Sequence, residues 1–119
     1  MKWKPVSGHI MTRWASDVSP DSTWPEYPRP QMTRKEWQSL NGLWDYRVDN
    51  RASSAKRGWE GKILVPFAIE SALSGVKRPL RPDQILHYRR EFSVPVDWHG
   101  KRILLHFEAV DWQANVSIN

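Results

Sequence analysis

The chain has 119 residues, 39% hydrophobic and 26% charged, and its 18 basic against 13 acidic side chains give a formal net charge of +5. This length makes one ordinary domain and excludes a complete (β/α)8 barrel, which takes ~250 residues. No apolar run approaches the ~20 residues of a membrane-spanning helix, and the lack of cysteine removes disulfides and thiolate metal sites while leaving the compartment open.

In chain order, residues 1–32 come first as an irregular arm. Met1-Lys2-Trp3-Lys4-Pro5 has the charge of a signal peptide's first region, but residues 6–13 are mixed where an apolar stretch should follow, so these residues carry no export signal. Pro5, Pro20, Pro25, Pro28 and Pro30 fix φ and push the preceding residues toward extended geometry. The arm is expected to lie over a surface, pinned by Trp24 and Tyr27.

Thr33-Arg34-Lys35-Glu36 has the form of a capping box, with Trp37 and Leu40 on one face and Gly42 as a stop. It predicts a helix of a turn or two. From Leu43 the period becomes two, with Trp44, Tyr46 and Val48 alternating with Leu43, Asp45 and Arg47 as in a half-buried strand. Residues 49–61 read as a loop, and Lys62-Ile63-Leu64-Val65 as a strand stopped by Pro66. Residues 67–84 form a long connection of the kind that is usually functional or disordered.

Residues 86–94 alternate again, with Leu86, Tyr88, Phe92 and Val94 on one side and Pro95 closing the strand. Arg90 shares that side, so its charge needs a partner, for which Asp45, Asp111 and Glu108 are candidates. A turn at residues 97–100 leads to a strand at 102–107 that faces Ile103, Leu105 and Phe107 inward. A last strand, 114–118, does the same with Ala114, Val116 and Ile118. Short strands with almost no helix indicate an all-β, antiparallel sandwich over residues 33–119. The chain stops inside a strand, so the sheet is expected to be unfinished.

Several of these pieces, taken in order, resemble a known family. They are Tyr27-Pro28-Arg29-Pro30-Gln31-Met32, then Leu40-Asn41-Gly42-Leu43-Trp44-Asp45-Tyr46, then Val65-Pro66-Phe67-Ala68-Ile69-Glu70-Ser71-Ala72-Leu73-Ser74-Gly75. Tyr88-Arg89-Arg90-Glu91-Phe92, Trp98-His99-Gly100-Lys101-Arg102-Ile103-Leu104-Leu105-His106-Phe107 and Val110-Asp111-Trp112 follow. Residues 12–119 thereby resemble the N-terminal sugar-binding domain of family 2 glycoside hydrolases, the group of β-galactosidases, β-glucuronidases and β-mannosidases. The resemblance implies a jelly-roll β-sandwich packed against immunoglobulin-like domains and a catalytic barrel. His87 departs from the family's usual tryptophan, and the family domain continues with further strands past Asn119.

Retaining glycoside hydrolysis needs two carboxylates ~5–5.5 Å apart, and the resemblance places both in the barrel. No catalytic residue is therefore assigned here, and Glu108 with Asp111 gives no facing pair. The substrate-contact candidates are Glu70 and Ser71, because the resemblance implies that the loop at 66–75 reaches the barrel's active site. Glu70 has two readings: it accepts sugar hydroxyls, or it pairs with Arg89 or Arg90 and orders the loop.

Trp44, Tyr88, Arg90, Asp111 and Trp112 are read as structural, with Trp44 and Trp112 in the core. Eight tryptophans in 119 residues also invite stacking on sugar faces. Trp3, Trp14 and Trp24 lie in the arm, where docking on a neighbouring domain is an equal reading. His9, His87, His99 and His106 show no metal spacing, and no cofactor is implied. The basic surplus at 61–90 is read as a solvated face or a surface for an acidic partner. Nucleic acid and membrane are not expected partners. A free-standing carbohydrate-binding module is the main rival reading.

Overall fold

The nine residues Gly42–Asn50, with Trp44, Tyr46 and Val48 alternating with Asp45, Arg47 and Asp49, form the central strand β1 of the protein. The computed structural model describes residues 3–7, 10–52 and 58–119. Strand β2 spans Gly61–Val65 and β3 spans Gln84–Arg89. They flank β1 in a three-stranded sheet of order β2-β1-β3, and both pairings are antiparallel. Among the described residues the rest is coil with short 3-10 turns at Arg13–Asp17, Pro30–Met32, Ala72–Ser74 and Val96–Trp98, so this is a small β-rich chain without a long helix.

Register follows from the alternation. Trp44 faces Ile63 across β2, while Tyr46 faces Tyr88 and Val48 faces Leu86 across β3. Side chains two apart share a sheet face, so one face is apolar. Val48, Ile63 and Ile69 are its buried centre, with Trp44, Tyr46, Val76 and Leu86 packed around them. Ile63 is fully buried, which contributes about 1.5–3 kcal/mol of transfer free energy. The opposite face carries Asp45, Arg47 and Asp49 of β1, Lys62 of β2, and His87 and Arg89 of β3, together with Leu43, the fully buried Leu64 and Ile85.

Three stretches differ from the sequence expectations. Residues 33–41 hold no helix. Thr33 instead follows the 3-10 turn Pro30–Met32, and its hydroxyl donates back to the Pro30 carbonyl at 3.0 Å. Glu36 pairs with Lys101. Both members of the expected capping box are thus engaged elsewhere, and Trp37 packs edge-on against Tyr27, with ring centroids 4.9 Å apart.

β1 runs on through Asp49 and Asn50, which find partners in Ile85 and Gln84. β3 in turn starts at Gln84 and ends at Arg89, short of the expected Val94. There the Arg90 guanidinium, through Nη1, donates to the Leu43 carbonyl. A side chain takes that acceptor, and the ladder stops.

Residues 102–107 and 114–118 are not strands, and every residue from 101 to 119 is exposed. Alternation states a preference for a half-buried strand, but a strand also needs a ladder partner. None of the described residues supplies one.

Candidate functional site

The segment after β2 is tightly built. A cis peptide joins Val65 to Pro66, and the Phe67 amide donates to Leu64 O at 3.1 Å. The Ser71 hydroxyl donates to Ala68 O at 2.7 Å and accepts from the Ser74 amide at 3.2 Å, capping the 3-10 turn Ala72–Ser74. Gly75 ends that turn at φ 80°, a conformation that side chains with a Cβ rarely adopt. The Arg78 amide then returns to Ile69 O at 3.0 Å.

Glu70 is exposed on this loop. Its Oε1 accepts the Leu80 amide at 3.2 Å, so the carboxylate ties the loop to the chain that leads into β3. Neither guanidinium expected to pair with it does so. Arg89 goes to Asp45, and Arg90 goes to Leu43 O. Glu70 therefore orders the loop through a backbone amide, and its other oxygen takes no hydrogen bond among the described residues.

The arm packs against the same loop. The Val6 amide donates to Ala72 O at 3.0 Å, and the Trp3 ring lies against Gly75. A cleft of about 480 Å³ opens between arm and loop, lined by Thr12, Trp14, Ala15, Val18, Trp24, Phe67 and Leu73. Trp24 meets Phe67 edge-on at 6.2 Å, and the Arg13 guanidinium sits 4.4 Å from the Trp14 ring centroid. Trp14 and Trp24 stay 61% and 60% exposed, so both leave ring surface available to a ligand. The structure thus brings the arm's tryptophans beside the loop that carries Glu70 and Ser71.

Sequence reasoning passed over Ser74, which is fully buried and holds this loop from inside. The Ser71-Ala72-Leu73-Ser74 spacing, that of an N-cap and its N3 amide, was the available signal. The cleft walls Phe67 and Leu73 were not visible in sequence, because the arm that completes the cleft is distant along the chain.

The residues read as structural divide. Trp44 is half-buried, with Nε1 donating to Leu40 O at 2.8 Å and its ring edge-on to Tyr88 at 6.3 Å. Tyr88 keeps 43% of its surface exposed, yet partial desolvation of its phenol pushes it above its ordinary pKa, and the Glu70 charge adds to this. The Tyr46 phenol is raised likewise, first by burial and then by Glu60. Arg90 is half-buried, but its partner is a backbone carbonyl and not the expected carboxylate. Of those carboxylates, Glu108 pairs with Arg29 at 3.3 Å. Asp111 is exposed. Trp112, expected in the core, is 79% exposed because the strands meant to cover it do not form.

On the polar face Asp45 stands between two cations. Its Oδ1 lies 2.6 Å from Lys62 Nζ and its Oδ2 lies 3.0 Å from Arg89 Nη2. The hydrogen bond from Lys62, with help from Arg89, holds the Asp45 carboxyl below its ordinary pKa despite a desolvation cost that acts in the opposite direction. Arg47 and Arg89 stack on Trp59, their guanidinium carbons 5.2 and 5.0 Å from the ring centroid. A second cleft, of about 250 Å³, is lined by Leu43, Asp45, Lys62, Arg89, Arg90 and Glu91.

His87 lies 3.2 Å from Asp49, His99 and His106 are exposed, and His9 lies outside the described residues. Among the described residues no group of three or more His, Asp or Glu side chains could hold a metal ion, and no helix is long and apolar enough to cross a membrane. No model of a known protein family matches the chain.

Proposed function

We propose that this chain is the N-terminal sugar-binding and structural domain of a family 2 glycoside hydrolase, contributing a jelly-roll sandwich that buttresses a catalytic barrel acting on β-linked sugars. The ordered motif series from Tyr27 to Trp112 carries the reading. The loop at 66–75 is compatible with it: a tightly held segment that exposes a carboxylate, Glu70, at its surface. In this role Glu70 accepts sugar hydroxyls, Ser71 shapes the loop beside it, and the chemistry belongs to the barrel's glutamates. The immunoglobulin-like domains and barrel of the parent enzyme are its partners.

The chain by itself should not turn over nitrophenyl β-galactoside or β-glucuronide. Turnover that survives purification and is lost on Glu70→Ala overturns the proposal. The positive arm is complementation. Added to a family 2 enzyme that lacks its own N-terminal domain, the chain should restore turnover, and Glu70→Ala should reduce it by about tenfold, as expected for a lost charged hydrogen bond.

The Trp14–Trp24 cleft favours a second reading, a free-standing carbohydrate-binding module. Calorimetry with oligosaccharides separates the two, since a module binds without a barrel and loses that binding on Trp24→Ala.

A further inference from the structure

The polar face of the sheet holds a cluster that the proposed function does not use. Lys62, Asp45 and Arg89 form a row across β2, β1 and β3, because Asp45 is in register with Lys62 on one side and Arg89 on the other. Arg90 and Glu91 follow β3 and line the same cleft as that row. Three cations meet two carboxylates, so the site keeps a positive excess.

Hydrogen-bond accounting defines what fits there. Asp45 accepts from Lys62 at Oδ1 and from Nε and Nη2 of Arg89 at Oδ2, which leaves about one of its four lone-pair sites. Lys62 and Arg89 retain further N–H donors and are about half exposed. Arg90 uses Nη1 on the Leu43 carbonyl, and its Nε is buried with no acceptor among the described residues. Donors therefore outnumber the acceptor sites left, which are those of Glu91 and about one on Asp45. A sugar hydroxyl must donate as well as accept and finds little to donate to. An oxyanion only accepts, and guanidinium groups match its geometry.

We propose that the Lys62–Asp45–Arg89 row, with Arg90, is a binding site for a small oxyanion: a carboxylate, sulfate or phosphate group. Asp45 holds the two half-exposed cations in place, and Arg90 lines the same cleft. The proposal stands apart from the sugar-domain reading, since it requires neither the barrel nor the loop at 66–75.

The test is calorimetric titration of the chain with inorganic sulfate, inorganic phosphate, glucuronate and glucose. Saturable binding of at least one of the three anions, with none of glucose, is expected. Sulfate or phosphate binding alone identifies a free inorganic ion, and a preference for glucuronate identifies a carboxylated sugar. The double variant Lys62→Gln/Arg89→Gln should weaken binding by about tenfold or more. Arg34→Gln/Lys35→Gln removes the same charge outside the cleft and should leave binding unchanged. Circular dichroism melts of both variants confirm that the fold is retained. Absence of saturable anion binding overturns the site. So does equal loss in the two double variants, which would mean that net charge alone attracts the ion.

Discussion

The Ser74 hydroxyl lies 3.0 Å from the Val76 amide and 3.2 Å from that of Lys77, and it accepts from both. Its own proton is within reach of the Ser71 carbonyl at 2.7 Å and the Ile69 carbonyl at 3.1 Å. Ser74→Ala leaves these groups unsatisfied inside the protein and should destabilise the fold by about 1–3 kcal/mol. Urea denaturation measures this, and a change under ~0.5 kcal/mol would show that water replaces the hydroxyl.

Ile63 has no exposed surface and sits opposite Trp44 in the apolar face. Ile63→Ala removes buried methyl groups and leaves a cavity beside Val48 and Ile69, at a cost of about 2–5 kcal/mol. Ile63→Val should cost about 0.5–1.5 kcal/mol on the same scale. Equilibrium unfolding of the pair tests whether this face is the core.

Gly75 and Trp3 should be coupled. A Cβ at Gly75 would come within 2.7 Å of Trp3 Nε1, and the residue's φ of +80° is itself unfavourable for alanine. Gly75→Ala should cost more than the ~1 kcal/mol of the backbone conformation alone. In a Trp3→Ala background the excess should disappear, which a double-mutant cycle reads directly. An unchanged cost would place the penalty in the backbone.

Asp45 makes stability depend on acid pH. Its folded pKa lies below the ordinary 3.8, so the folded state holds the proton less tightly than the unfolded chain does. The resulting stabilisation is fully present above 3.8 and is lost as pH falls through the lower folded value. Asp45→Asn should be less stable than the wild type at neutral pH, and the gap should narrow on acidification below that point. A gap independent of pH would assign the effect to hydrogen bonding and not to charge.

Trp112 offers a contrast within one residue type. At 79% exposure, Trp112→Ala should change stability by no more than about 0.5 kcal/mol. Half-buried Trp44, bonded to Leu40 O and packed on the core, should cost about 3–5 kcal/mol as alanine. Thermal melts of the two variants distinguish core from surface tryptophan.

β1 was legible because alternation over consecutive residues reports on the backbone period itself, and β2 because the short apolar run Ile63-Leu64-Val65 is stopped by Pro66. The same signal at 102–107 and 114–118 was not enough, since pairing depends on a partner strand that local sequence does not contain. Thr33 and Glu36 had the right spacing for a capping box, but Pro30 and Lys101 compete for their side chains. At the candidate loop, sequence singled out Glu70 and Ser71 but not the Leu80 amide that Glu70 binds. The Lys62–Asp45–Arg89 row was invisible for a related reason. Its members are brought together by register, which composition and spacing along one strand do not reveal.

That row also aligns the strands. Sliding β3 by two residues along β1 would set Tyr46 opposite Arg90 in one direction and Val48 opposite Gln84 in the other, so the buried face already resists the shift. In one direction the slide sets Arg89 opposite Arg47, and the same movement of β2 sets Lys62 opposite Arg47. Each places like charges directly across a ladder, which is unfavourable. A slide by one residue would turn the apolar set out to solvent. Asp45 therefore acts as a pin shared by two ladders: one carboxylate on the middle strand favours the observed alignment of both neighbours, in concert with the buried face.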